Sequence, residues 1–130
     1  MRADEVERLL AILARDRPTA RMERFFVDVG ERSIAVPVAE IRWLEAAGKQ
    51  VRVHGASAPL TARDSLLRLS ELLDPAVFVR VSRSAIVKLA HVVEVHRWFH
   101  GDFLLQLDSG AQLPSTRAYR DVLLRALRSR

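Results

Sequence analysis

With 130 residues, 49% of them hydrophobic and 28% charged, the chain has material for one packed domain and a short appendage, so disorder is not the expectation. It holds no cysteine, which removes disulfide staples, thiolate zinc sites and cysteine nucleophiles together and fits a reducing, cytoplasmic setting. The net charge of +5 is lopsided: residues 1–79 hold 12 Lys and Arg against 12 Asp and Glu, whereas residues 80–130 hold 9 against 4, an asymmetry that suggests a polyanionic partner.

The first predicted element is an amphipathic helix over 3–15, with Val6, Leu9, Leu10 and Leu13 on one stripe. Its acidic start, MRADEVERLL, lacks the basic-then-apolar layout of a signal peptide. Arg17-Pro18-Thr19 breaks the pattern, and 16–22 reads as a linker, so the chain divides into an appendage at 1–22 and a domain at 23–130. A lone helix of this length is marginal in water and needs something to dock on, whether this domain, a second copy or a domain outside these residues, which makes a homodimer one expectation.

From Arg24 the pattern turns to short β segments. FFVDV and SIAVPV flank Gly30-Glu31-Arg32 as a hairpin, with Pro37 at a strand end or edge. IRWL, VRVH and APLT follow. Asp64-Ser65 opens a helix through Leu73, with Leu66, Leu69, Leu72 and Leu73 on one side and Asp74-Pro75 as the stop. FVRV, SAIVKL, VVEVHRW, FLLQL and AQLP come next, turned by Gly101-Asp102 and Ser109-Gly110. A helix from about Arg117 closes the chain on an apolar face of Tyr119, Val122, Leu123, Ala126 and Leu127, capped by Ser115 or Thr116. The fold class is mainly β and antiparallel, with a short central helix, a C-terminal helix and the N-terminal linker helix. No apolar run approaches the roughly 20 residues of a membrane span.

The chemistry concentrates in Phe78–Leu89, FVRVSRSAIVKL. Ser82-Arg83-Ser84 falls at the junction of two strand pieces, where polar side chains project off a sheet edge into a groove-sized loop. Arg83 could present two parallel N–H donors to the O6 and N7 of a guanine, while Ser82, Ser84 or Lys88 could hold phosphates. Arg117, just after a loop and at a helix start, could act likewise, and Arg120 reads as a phosphate contact. Arg80, alternating with Val79 and Val81, reads as part of a solvated strand face. A plainer source of the arginines also exists: 19 of the 21 basic residues are Arg, as a high-GC genome writes at solvated positions.

FVRVSRSAIVKLAHVVEV resembles the signature of LytTR DNA-binding domains, roughly F-x-R-x-H-R-S-x-x-V-N followed by a strand. IRWLEAAGKQVRV resembles the family's I-x-x-x-E-A segment, and GDFLLQLDSGAQLPSTRAYRDVL its G-x-x-(L/I)-P-x-S-R-x-Y close. Together these blocks cover about Phe25 to Leu127. The resemblance implies stacked small antiparallel sheets whose loops enter successive major grooves of double-stranded DNA, often as two copies on a direct repeat. By position it implies contacts from Lys49 and Gln50, from Arg83 with Ser82 and Ser84, and from Arg117. Ser82 stands where the family usually has His, Lys88 where it has Asn, Gln50 where Tyr is common, and Thr116 where Ser is common. These departures leave the fold secure and put the target sequence in question.

The expected function is therefore sequence-specific DNA binding in transcription regulation, as the output domain of a two-component response regulator. No enzymatic activity, catalytic residue, cofactor, metal or membrane partner is expected. His96-x-x-x-His100 has a metal-like spacing, yet it straddles a strand end and no carboxylate motif completes a ligand set. A β-rich cyclic-dinucleotide module of the PilZ type is the alternative, with Arg17 and Arg21 as its arginine pair. Its Asp/Asn-x-Ser-x-x-Gly companion is missing, because Asp108-Ser109-Gly110 has the wrong spacing. LytTR domains usually follow a receiver domain of roughly 120 residues, so a receiver or sensor domain outside these residues is a further expected partner.

Overall fold

The computed structural model describes residues 4–7, 23–55 and 58–128. Of the helix expected over 3–15, residues 4–7 are helical and the Glu7 carboxylate accepts from Arg68 at 2.7 Å. The rest of that helix and the 16–22 linker, with Arg17 and Arg21, lie outside the described residues.

Among the described residues, ten short strands form three antiparallel sheets. A hairpin pairs β1 (Arg24–Val29) with β2 (Arg32–Pro37), Val29 opposite Arg32, so Gly30 and Glu31 make the turn and Pro37 ends the strand. The five-stranded sheet has the order β5-β4-β3-β7-β6, from β3 (Ile41–Ala47), β4 (Gln50–Gly55), β5 (Leu60–Ala62), β6 (Phe78–Ser82) and β7 (Ala85–Lys88). The three-stranded sheet has the order β10-β9-β8, from β8 (Val92–Arg97), β9 (Phe103–Leu107) and β10 (Gln112–Ser115). Two α-helices, α1 (Leu66–Leu72) and α2 (Arg120–Arg128), lie among the described residues beyond the N-terminal helical turn. The expected class, mainly β with a central and a C-terminal helix, is the class observed.

Two apolar clusters meet across β6 and β7. Phe78 and Ile86 point into one, with Phe25, Val27, Ile41, Leu44, Val51 and Leu69. Val79, Val81, Ala85 and Val87 point into the other, with Leu105, Leu107, Leu113 and Leu123. Burial on both faces explains why AIV in β7 runs apolar without alternation.

Ser65 caps α1, its hydroxyl accepting from the Arg68 N–H at 3.1 Å. Gly55 is fixed by space, because a Cβ there would lie 2.6 Å from the Glu40 carbonyl oxygen.

The expected cap of the C-terminal helix is corrected. A 3-10 turn over Arg117–Tyr119 precedes α2, and Thr116, at its N-cap, makes no side-chain cap bond. Ser115 is fully buried, and its hydroxyl has no partner among the described residues. The Asp102 carboxylate, from the β8–β9 connection, accepts from the Arg117 N–H at 2.8 Å instead. A carboxylate at a helix start also answers the positive end of the peptide dipoles.

Candidate nucleic-acid interface

The turns that carry the candidate residues gather at one end of the molecule. In the β3–β4 turn Ala47 pairs with Gln50, leaving Gly48 (φ 65°) and Lys49 at the tip. Glycine suits that left-handed φ, which lets the strands turn in two residues. Lys49 and Gln50 are both exposed. Beside it, Ser82 pairs with Ala85, so Arg83 and Ser84 form the tip of the β6–β7 turn. The Ala46 N–H donates to the Ser84 carbonyl at 2.8 Å and ties the two turns together.

A β-bulge brings in the third element. The β6–β7 register shifts between Arg80 and Ser82, which takes Val81 out of the ladder. Its free carbonyl accepts from the Thr116 N–H at 3.0 Å, docking the β10–α2 junction against β6. Arg117 follows directly and is exposed. Arg120 opens α2, with its guanidinium 3.5 Å from where a Gly101 Cβ would stand. One end of the fold thus groups Lys49, Gln50, Arg83, Ser84, Arg117 and Arg120.

Two candidates sit differently. Ser82 is buried at 6% exposure; its hydroxyl accepts from the Ser84 N–H at 3.2 Å and lies 3.4 Å from the Ser84 hydroxyl, so it shapes the turn from inside. Lys88 pairs with Phe78 at the far end of β7, about 10 Å along the strand from the turn. Its ammonium lies 3.4 Å from the Ala39 carbonyl oxygen and 5.9 Å from the Phe78 ring centre. The structure separates Lys88 from the group.

Arg80 corrects the reading of a solvated strand face. Its Nε donates to the Ser82 carbonyl at 3.2 Å and its terminal nitrogen to the Arg83 carbonyl at 2.8 Å. A planar guanidinium with several fixed donors can clamp two successive carbonyls in this way. With the turn held by Arg80, the Arg83 side chain stays exposed at the tip. Sequence reasoning missed this brace, and it missed Asp102 as the anchor of the Arg117 turn. The Arg in F-x-R-x-H-R-S was the available signal for the first.

On the β3–β4 face, Glu45 receives Arg52 at 3.1 Å and His54 at 2.9 Å, and His54 stacks on Trp43 at 3.9 Å between ring centres. Among the described residues no group of three His, Asp or Glu is placed to hold a metal ion; His96 instead pairs with Glu94 at 2.9 Å. At the opposite end of the three-stranded sheet, a hydrogen bond from His91 holds the exposed Asp108 carboxyl below its ordinary pKa, with help from the charges of His91 and Arg42. No described helix is long and apolar enough to cross a membrane.

The three described sheets are antiparallel, and basic turns gather at one end of them. The model of the LytTr DNA-binding domain matches residues 31–128, and the chain belongs to that family. It is 38% identical over 98 residues to the CO-responsive transcriptional regulator RcoM of Rhodospirillum rubrum, covering 75% of this chain and 41% of that protein. It is 28% identical over 110 residues to the sensory transduction protein LytT of Bacillus anthracis, covering 85% of this chain and 45% of the relative. The chain thus spans less than half the length of these relatives. The solved LytTr DNA-binding domain of a putative methyl-accepting/DNA response regulator from Bacillus cereus superposes with a TM-score of 0.72 at 28% identity, over 81% of this chain and 96% of that one.

Proposed function

We propose that this chain reads specific sequences in double-stranded DNA as the output part of a bacterial transcription regulator and catalyses no reaction. Membership of a DNA-binding family supports DNA as the ligand. The observation that carries the finer reading is the hydrogen-bonded convergence of three basic turns, through Ala46–Ser84 and Val81–Thr116. Turns anchored this way project side chains into grooves at fixed separation, which is what base reading needs.

In this reading Arg83 and Arg117 reach base edges, Ser84 contacts a phosphate beside Arg83, and Lys49 and Gln50 contact bases or phosphates from the adjoining turn. Arg120 holds a phosphate. Ser82 and Arg80 keep the β6–β7 turn in shape, and Lys88 plays no direct part. The turns enter successive major grooves on one face of the duplex, and two copies occupy a direct repeat. The greater length of the relatives supports a further receiver or sensor domain acting on this one, in the cytoplasm.

Selection of bound sites from random duplexes, at stated salt, tests this reading. We expect enrichment of two similar half-sites in the same orientation, about one helical turn or a multiple of it apart. Recovery of inverted half-sites would replace the direct repeat by a two-fold arrangement. Recovery of no preferred sequence would leave only non-specific binding.

A further inference from the structure

Water-facing apolar side chains are unevenly spread. Leu67, Val93, Val95, Trp98, Phe99 and Val122 are the large hydrophobic residues left exposed among the described ones, and four of the six fall between 93 and 99. The most exposed, Phe99 at 68%, stands on the β8–β9 connection with Trp98, ring centres 5.6 Å apart.

This tip is built, not slack. The Trp98 N–H donates to the Asp102 carbonyl and the Asp102 N–H to the Phe99 carbonyl, both at 2.9 Å. His100 takes a left-handed φ of 54°, uncommon for a side-chain-bearing residue, and Gly101 follows at 83°. The connection is also fastened to the proposed interface. Asp102 accepts from the Arg117 N–H, and the Arg117 stem passes 3.1 Å from where a Gly101 Cβ would stand. Exposed Arg97 and His100 flank the aromatic pair, with Arg120 close by.

Resting on the DNA-binding reading above, we propose that Trp98-Phe99-His100 is a further contact of the same interface, seating Phe99 against duplex DNA in the groove beside the one Arg117 enters. The guanidinium groups of Arg97, Arg117 and Arg120 suit phosphates. An apolar ring on a stiff tip can meet a thymine methyl or wedge at a base step, where a flexible polar side chain cannot. Continuity with Arg117 and the neighbouring Arg97 and Arg120 favours a nucleic-acid occupant over an apolar protein surface.

The test measures duplex affinity at two salt concentrations, with the mass of the DNA-free protein, for wild type, Phe99→Ala and Phe99→Leu. Because Phe99 faces water, neither change should disturb folding. Phe99→Ala is expected to weaken binding roughly tenfold, the scale of one well-seated side chain. Its salt slope should stay that of wild type, since no phosphate contact is lost. Phe99→Leu should keep most of the affinity. Unchanged affinity in Phe99→Ala overturns the proposal. An affinity loss that accompanies a change in mass also overturns it and assigns the tip to a protein contact. Wild type that fails to bind any duplex would remove the DNA reading itself, a result distinct from wild type that binds and Phe99→Ala that binds equally well.

Discussion

Replacing Arg83 or Arg117 by alanine is expected to cost about 1–3 kcal/mol of affinity on the preferred duplex and much less on a scrambled one. The expectation rests on how differently the two neighbouring arginines of the β6–β7 turn are used. Arg80 spends its donors on the Ser82 and Arg83 carbonyls, whereas the Arg83 side chain is exposed at the tip and makes no hydrogen bond to a described residue. Arg83→Ala should therefore leave the melting temperature nearly unchanged, as surface substitutions usually do. Arg117 has its backbone pinned by Asp102, so its alanine variant likewise loses the guanidinium and keeps the turn. Arg120→Ala should instead weaken all duplexes alike and flatten the salt slope, as the loss of a phosphate contact does. Equal losses on specific and scrambled duplexes for Arg83→Ala and Arg117→Ala, with folding intact, would mean that both position the protein and neither reads sequence.

The largest effect on stability is expected from Leu123→Ala, about 3 kcal/mol and a fall in melting temperature of roughly 10–15 °C for a domain of this size. Leu123 is the one fully buried side chain among the described residues of α2, and it inserts among Val79, Val81, Leu105 and Leu113. Truncation leaves a hole between two sheets and a helix, where packing on three sides limits collapse. The neighbouring Val122 is half exposed, so Val122→Ala should cost well under 1 kcal/mol. Calorimetric or denaturant unfolding of the pair decides the matter. A loss below about 1 kcal/mol for Leu123→Ala would show that α2 is held by something other than this contact. Because α2 follows Arg117 and begins at Arg120, the same variant should bind DNA less well at temperatures where the wild type is still folded.

Much of this was legible from sequence, for physical reasons that differ by element. Strand alternation and turn chemistry placed the β1–β2 hairpin and the β3–β4 turn, because Gly30 and Gly48 mark backbone that other residues adopt poorly. Ser65 announced α1 because its cap is local. The cap of the 3-10 turn before α2 was not legible, since it comes from Asp102, 15 residues upstream of Arg117, and such a bond depends on the tertiary fold. Arg80 and Arg83 look alike in one dimension. The bulge at Val81 and the tight turn decide which of them faces the carbonyls and which faces outward. Lys88 looked like a neighbour of the turn because it is four residues from Ser84, yet an extended strand carries it to the other end of the sheet. The aromatic tip of the β8–β9 connection read as an ordinary strand end, because exposure is a property of the fold and not of the Trp-Phe pair itself.

Affinity for duplex DNA as a function of salt tests the central claim most directly. A fluorescently labelled duplex titrated with the chain between about 50 and 200 mM salt should give a dissociation constant rising linearly in log–log terms. Its slope should reach about 0.9 for each phosphate neutralised, so three to five contacts from the basic turns imply a slope of about 2.7–4.5. That outcome would identify a polyanion-binding surface, and Arg120→Ala should lower the slope by about one. Absence of binding at about 50 mM salt, where even non-specific contacts register, would contradict DNA as the partner of this surface.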